Sequence, residues 1–299
     1  MHWNIASAAL LIGFVIGLTG MGGGALMTPV LVIFFHIVPT AAISSDVVAS
    51  VILKPIGGGV HVRHGTVNWR LVRWLSLGSV PAAFLGAFTI SRISSGGVED
   101  DVKKILGWVL LVAAAGMAAK VAAQSRRKSA PAEQMLDPAL VRPFPTALIG
   151  VVGGFAVGLT SVGSGSLMIV LLMLLYPTLS SREMVGTDLV QAIPLVASAA
   201  IGHLVFGNLE LGLTGSVLIG AIPGVYVGAH VSARGSDRFI RPALIAVLTI
   251  SSLKLVGASN GFLLGAIVTA IVALVAWFTL DERQRRRSAT DLRDLTPTG

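Results

Sequence analysis

Residues 13–27 read GFVIGLTGMGGGALM, and residues 154–168 read GFAVGLTSVGSGSLM. Both stretches lie inside long apolar segments, and the correspondence continues beyond them at a nearly constant offset. Asp46 pairs with Asp188, His61 with His203, Gly65 with Gly207, Gly78 with Gly220, Pro81 with Pro223, Gly86 with Gly228 and Arg92 with Arg234. The chain is therefore a duplicated unit of roughly 90 to 115 residues, and such a period must be recognised before any other feature is interpreted. Apolar segments interrupted by glycine at matching places in two halves point to a transporter with its binding site at the interruptions.

Composition sets the class independently. The 299 residues are 54% hydrophobic and only 12% charged, against about 25% charged in a typical soluble domain. Apolar segments run at about 5–35, 43–62, 72–90, 104–123, 144–175, 185–206, 212–231, 240–258 and 261–280. Most approach or exceed the roughly 20 residues a helix needs to cross a bilayer. An all-α polytopic membrane protein is expected. Its parts are a first membrane repeat (1–123), a basic cytoplasmic linker (124–143), a second repeat (144–258), an additional transmembrane helix (259–280) and a basic cytoplasmic tail (281–299). Met1-His2-Trp3-Asn4 lacks the basic start of a signal peptide and the first segment recurs in the second half, so it is expected to be retained. With no cysteine, disulfides, thiolate metal sites and thiol catalysis are excluded.

Segments 5–35 and 144–175 are too long for one crossing, and each carries a glycine cluster. Each is either a broken crossing or a re-entrant hairpin of two half-helices. Lysine and arginine near membrane ends favour the cytoplasm. If both segments cross fully, the basic residues outside the tail divide evenly. If both are hairpins, one face collects nearly all of them and the other only Arg92, Lys103 and Lys104. The hairpin reading follows, with the N-terminus outside and the C-terminal tail in the cytoplasm. One hairpin plus three crossings per repeat is an odd number, so the repeats are expected to be inverted and the two tips to meet near mid-membrane.

Gly20, Met21, Gly22, Gly23 and Gly24 form the first tip. Ser161, Gly163, Ser164, Gly165 and Ser166 form the second. Glycine permits positive φ and close approach, and a restarting helix offers unpaired N–H groups and a partial positive charge. Such a tip suits an oxyanion. The competing reading is close helix packing through small residues. No Gly-Lys-Ser/Thr follows the glycines, so neither a phosphate-binding loop nor direct ATP drive is indicated. The serines of the second tip do not form the Gly-x-Ser-x-Gly pattern of a serine hydrolase either, though a Ser164–His203 pair remains for an enzymatic reading.

Asp46, Lys54 and Asp188 are the ionisable residues in the apolar segments that need explaining. Lys54 is followed by Pro55, and Asp46, Ser50 and Lys54 recur at spacing four, which places them on one helix face. An intramembrane lysine is costly and so marks function. It would offset the charge of a bound anion, or else pair structurally with Asp46 or Asp188. Asp46 and Asp188 would carry a coupling proton, or else cap helices beginning at Ser45 and Thr187. His61 and His203, at segment ends, are expected to be interfacial anchors. Arg283 and Arg285–Arg287 suit anionic lipid heads rather than nucleic acid. No cofactor is indicated.

The paired glycine stretches, Asp46, the run VHVRHGTVNWR at 60–70 and GHLVFGNL at 202–209 resemble the sulfite exporter TauE/SafE family over roughly residues 5–257. The resemblance implies a cytoplasmic-membrane transporter of sulfur-containing anions such as sulfite, thiosulfate or organosulfonates. The halves are not identical: Lys54 aligns with Val196, and Gln191 and Pro194 align with Ala49 and Ile52. An asymmetric site within a pseudo-symmetric frame is expected.

Overall fold

The computed structural model describes residues 3–19, 23–95, 99–126, 140–165, 167–207, 209–232, 240–259, 261–266 and 268–269. Gly20, Met21, Gly22 and Ser166 lie outside the described residues, as do most of the linker, residues 270–280 of the additional helix, and the tail. Among the described residues the chain is helical throughout. The first glycine-rich segment comprises α1 (Trp3–Thr19), a 3-10 turn (Gly23–Ala25) and α2 (Met27–Ile33). Then follow α3 (Pro39–Arg63), α4 (Trp69–Ser95) and α5 (Glu99–Arg126). The second half repeats the order with α6 (Pro143–Thr160), α7 (Leu167–Leu175), α8 (Ser181–Phe206), α9 (Leu211–Ser232) and α10 (Ile240–Val256).

Both long segments are broken where the glycines cluster. Helix α2 is about 10 Å long and α7 about 14 Å at 1.5 Å per residue, far short of a bilayer. Six helices, α3, α4, α5, α6, α8 and α9, contain stretches long and apolar enough to cross one. Large apolar side chains such as Leu11, Leu77, Leu85, Leu148, Ile201 and Leu204 face outward, as lipid-facing positions must. This is an all-α polytopic membrane protein.

Packing within residues 1–257, the first of two compact units, does not follow the repeats. Helix α1 lies along α9, α6 lies along α4, and the equivalent helices α3 and α8 pair with each other, as do α5 and α10. One apolar core joins Ile5, Ala9 and Ile16 of α1 and Leu31 of α2 to Leu213 and Val217 of α9 and Leu248 of α10. The other joins Leu71 and Leu75 of α4 to Val157, Met168, Leu172 and Leu195. Each core draws on both repeats, and α3 contributes to both: Ala49 and Leu53 to the first, Ile43 and Val47 to the second.

The repeated glycines outside the breaks make these exchanged pairs possible. A β-carbon on Gly78 would collide with the carbonyl of Ala147, and one on Gly220 with that of Ala6. Gly86 faces Phe155 and Gly228 faces Phe14 in the same way. At Gly13 a β-carbon would stand 2.7 Å from the Ala221 carbonyl oxygen, while Gly154 abuts Ser79. Helix backbones can touch only where side chains are absent. Equivalent glycines thus serve equivalent contacts.

Candidate functional site

Helix α3 starts at Pro39 and continues through Pro55 to Arg63, presenting Asp46, Ser50 and Lys54, all buried, over two turns. Asp46 ties the two breaks together. Its Oδ2 accepts hydrogen bonds from Thr28 Oγ1 of α2 at 3.0 Å and from Ser161 Oγ of the second break at 2.7 Å. Its Oδ1 is buried without a hydrogen-bond partner among the described residues. A β-carbon on Gly23 would stand 3.2 Å from that oxygen, and one on Gly24 would overlap the carbonyl of Ser161. The two breaks are in contact.

The second break takes its shape from unusual backbone. Ser161 caps α6 at φ 62°, its N–H donating to the Val157 carbonyl at 2.7 Å. Gly163 and Gly165 also adopt positive φ, 139° and 88°, conformations that glycine enters without the steric cost of a β-carbon. Between them sits Ser164, whose Oγ accepts a 2.9 Å hydrogen bond from Lys54 Nζ. The lysine thus carries its terminal nitrogen from α3 into the second break. On α8, Asp188 Oδ1 accepts from Gln191 Nε2 at 3.5 Å, and Gln191 Oε1 accepts from Ser79 Oγ of α4 at 3.1 Å.

Of the residues singled out from sequence, Gly23, Gly24, Asp46, Lys54, Ser161 and Ser164 converge directly, with Gly163 and Gly165 shaping the turn between them. Thr28 and the Ser79–Gln191 bond were not anticipated as a part of this site. Thr28 had no signal, because its counterpart in the second repeat is Ile169 and a repeat comparison cannot reveal an unrepeated hydroxyl.

Three expectations are corrected. Asp46 and Asp188 cannot be helix caps, because α3 and α8 begin seven residues before them. Helix α8 is instead capped by Ser180, whose Oγ accepts from the Glu183 N–H at 3.2 Å, a Ser-x-x-Glu start. His203 is no interfacial anchor. It is buried, with Nε2 2.9 Å from the Gly158 carbonyl and Nδ1 3.1 Å from Ser44 Oγ. A carbonyl only accepts, so Nε2 bears a proton and donates to Gly158. Ser164 is engaged by Lys54 and His203 by Ser44 and Gly158, so they form no nucleophile–base pair. His61, half-buried, contacts Thr66 Oγ1 at 2.9 Å.

A polytopic bundle with two broken helices meeting over a buried lysine and carboxylate fits one family model, described as sulfite exporter TauE/SafE, which matches residues 5–255. The chain belongs to the TauE/SafE family. It is 37% identical over 258 residues to the probable membrane transporter protein YjnA of Bacillus subtilis, covering 86% of this chain and all of that one. The probable membrane transporter protein YdhB of the same organism is 24% identical, with 80% and 96% of the two chains covered. A probable membrane transporter protein of Methanocaldococcus jannaschii, MJ0441, is 25% identical over 82% of this chain and 92% of its own. No solved structure matches significantly. The TauE/SafE chain described here is a multi-pass membrane transporter.

Proposed function

We propose that this transporter moves a small sulfur-containing anion, such as sulfite, thiosulfate or an organosulfonate, through a site between the two helix breaks. The observation that carries the reading is the buried Lys54 ammonium donating to Ser164 between two positive-φ glycines. An arriving oxyanion would replace the serine oxygen as the lysine's acceptor, adding the attraction of opposite charges to a bond in which only the donor is charged. Ser164, whose own hydroxyl proton the lysine does not use, would add a donor, and Ser161, Ser166 and the first tip, Gly20 to Gly24, are the further candidate contacts. The family's name favours sulfite and export.

Alternating access follows from the same frame. Both long segments are re-entrant hairpins, the repeats are inverted, and the N-terminus lies outside the cytoplasmic membrane. Supporting this are the concentration of basic residues on one face and the reciprocal exchange of helices between repeats. The exchanged pairs α1–α9 and α4–α6 would rock around α3 and α8. Coupling to protons rests on charge. Two carboxylates, Asp46 and Asp188, share the interior with one ammonium, so a bound monovalent anion deepens an already negative charge, and a proton taken up by one carboxylate restores the value of the empty site. That arithmetic favours a second reading, proton-coupled uptake, because proton and anion would then travel together.

The test is flux in proteoliposomes across a panel of sulfite, thiosulfate and methanesulfonate at controlled pH. Saturable flux of at least one, lost in Lys54→Met, is expected. Undiminished flux in that variant would remove the lysine from the site, and absence of flux for all three would remove the substrate class. Turnover without a second compartment would instead indicate an enzyme.

A further inference from the structure

A cavity of about 230 Å³ opens where α3 begins and where α4 and α8 end, lined among others by Thr40, Ser44, Ser91, Ser94, His203 and Phe206. At about 30 Å³ per water it has room for a small oxyanion with several waters. Among the described residues its wall is rich in hydroxyls and holds no carboxylate. Two independent observations mark it as built for a ligand. Thr40 is buried, yet its Oγ1 has no hydrogen-bond partner among the described residues. Such a group costs free energy unless something else satisfies it. Ser44, by contrast, is committed to His203, and Ser91 donates to the Ala87 carbonyl at 2.9 Å.

The second observation is an exposed positive charge two contacts from the lining. The Arg92 guanidinium lies 4.9 Å above the ring of Phe88, and Phe88 packs edge-on at 5.1 Å against Phe206 of the cavity lining. Arg92 stands in the last turn of α4, where it offsets that helix's negative end. The first turns of α3, with Thr40 and Ser44, add the positive end of a 25-residue helix. The cavity floor is His203, which bridges Ser44 to the Gly158 carbonyl, three residues before the second break.

We propose that this cavity is a second subsite for a small oxyanion, with Thr40 as hydroxyl donor and Arg92 at its rim. His203 separates it from the site between the breaks. The proposal rests on the anion-transport reading given above, in which this is the outer waiting position on the route. The two sites differ in their cation: Arg92 here, Lys54 there.

Equilibrium binding of sulfite and of methanesulfonate to the purified full-length protein tests it. Two classes of site are expected in the wild type. Thr40→Val is nearly isosteric and removes no internal hydrogen bond, so the melting temperature should stay unchanged while one class weakens about tenfold. Arg92→Gln should weaken the same class, and Lys54→Met only the other. A single class insensitive to Thr40→Val and Arg92→Gln but lost in Lys54→Met overturns the cavity subsite and leaves the transport reading standing. A single class lost in Thr40→Val and untouched by Lys54→Met supports the subsite and overturns the site between the breaks. No binding of either probe overturns both.

Discussion

Lys54 and Asp46 lie two helical turns apart on α3 and reach the same break through different serines, Ser164 and Ser161. Their roles separate by substitution. Lys54→Met keeps much of the apolar stem and removes the ammonium; if the charge holds the anion, affinity falls ten- to a hundredfold, about 1.4 kcal/mol per factor of ten. Titration of wild-type and variant protein with methanesulfonate measures this, and equal affinities would assign Lys54 a purely structural bond. For Asp46 and Asp188 the informative change is to asparagine, which retains an acceptor but cannot cycle a carboxylate charge. Flux of a permanently charged sulfonate should respond to an imposed pH gradient in wild type and lose that response in at least one asparagine variant. Identical responses in all three proteins would exclude both aspartates as proton carriers. Sulfite is the poorer probe here because it titrates near neutral pH itself.

Among the elements, glycine performs two separable tasks. At Gly165, φ is 88°, and a side chain there pays roughly 1–2 kcal/mol for a left-handed backbone. At Gly78 and Gly220 the backbone is helical, and the constraint is the neighbouring helix. Gly78→Ala should therefore push α4 from α6 and lower the melting temperature in detergent. Gly215→Ala, where nothing stands within 4 Å of the added carbon, should be neutral or stabilise by up to about 1 kcal/mol, the helix-propensity difference. Equal melting temperatures for the two alanine variants would mean that the close contacts of α4 and α6 are unimportant. Gly24, just before the short helix α2, does the second task at the breaks themselves, since any side chain there meets Ser161 and would separate them.

At the scale of the molecule, the double-hairpin arrangement makes a discriminating topological prediction. Single cysteines can be introduced into this cysteine-free chain at exposed positions on either side of each broken segment. Asn4 and Val38 flank the first, Arg142 and Thr178 the second. Re-entrant hairpins place both members of each pair on one face, and inversion places the two pairs on opposite faces. An impermeant maleimide applied to intact cells should thus label Asn4→Cys and Val38→Cys, and label Arg142→Cys and Thr178→Cys only after lysis. Arg142 and Thr178 labelled from opposite sides would instead make 144–175 a broken crossing.

Composition, the apolar runs and the repeated glycine stretches established a polytopic helical membrane transporter without any tertiary information, because those properties are local. The solvent dictates length and hydropathy, and glycine clusters interrupt helices wherever they occur. The breaks themselves were legible, as was the shared face of Asp46, Ser50 and Lys54, since helical periodicity alone places residues four apart in register. What a given side chain meets from elsewhere in the chain was not. Lys54 and Ser164 are 110 residues apart, Asp46 and Ser161 115, and Ser44 and His203 159. Only the exchange of helices between repeats brings these pairs together. It moved His203 from an apparent segment end into the interior, showed that helices α3 and α8 begin too early for Asp46 and Asp188 to cap them, and turned the repeated glycines outside the breaks into contact points between backbones. Pairing across such separations depends on which helix faces fit closely enough to exclude side chains, and that is a property of the assembled bundle rather than of any one segment.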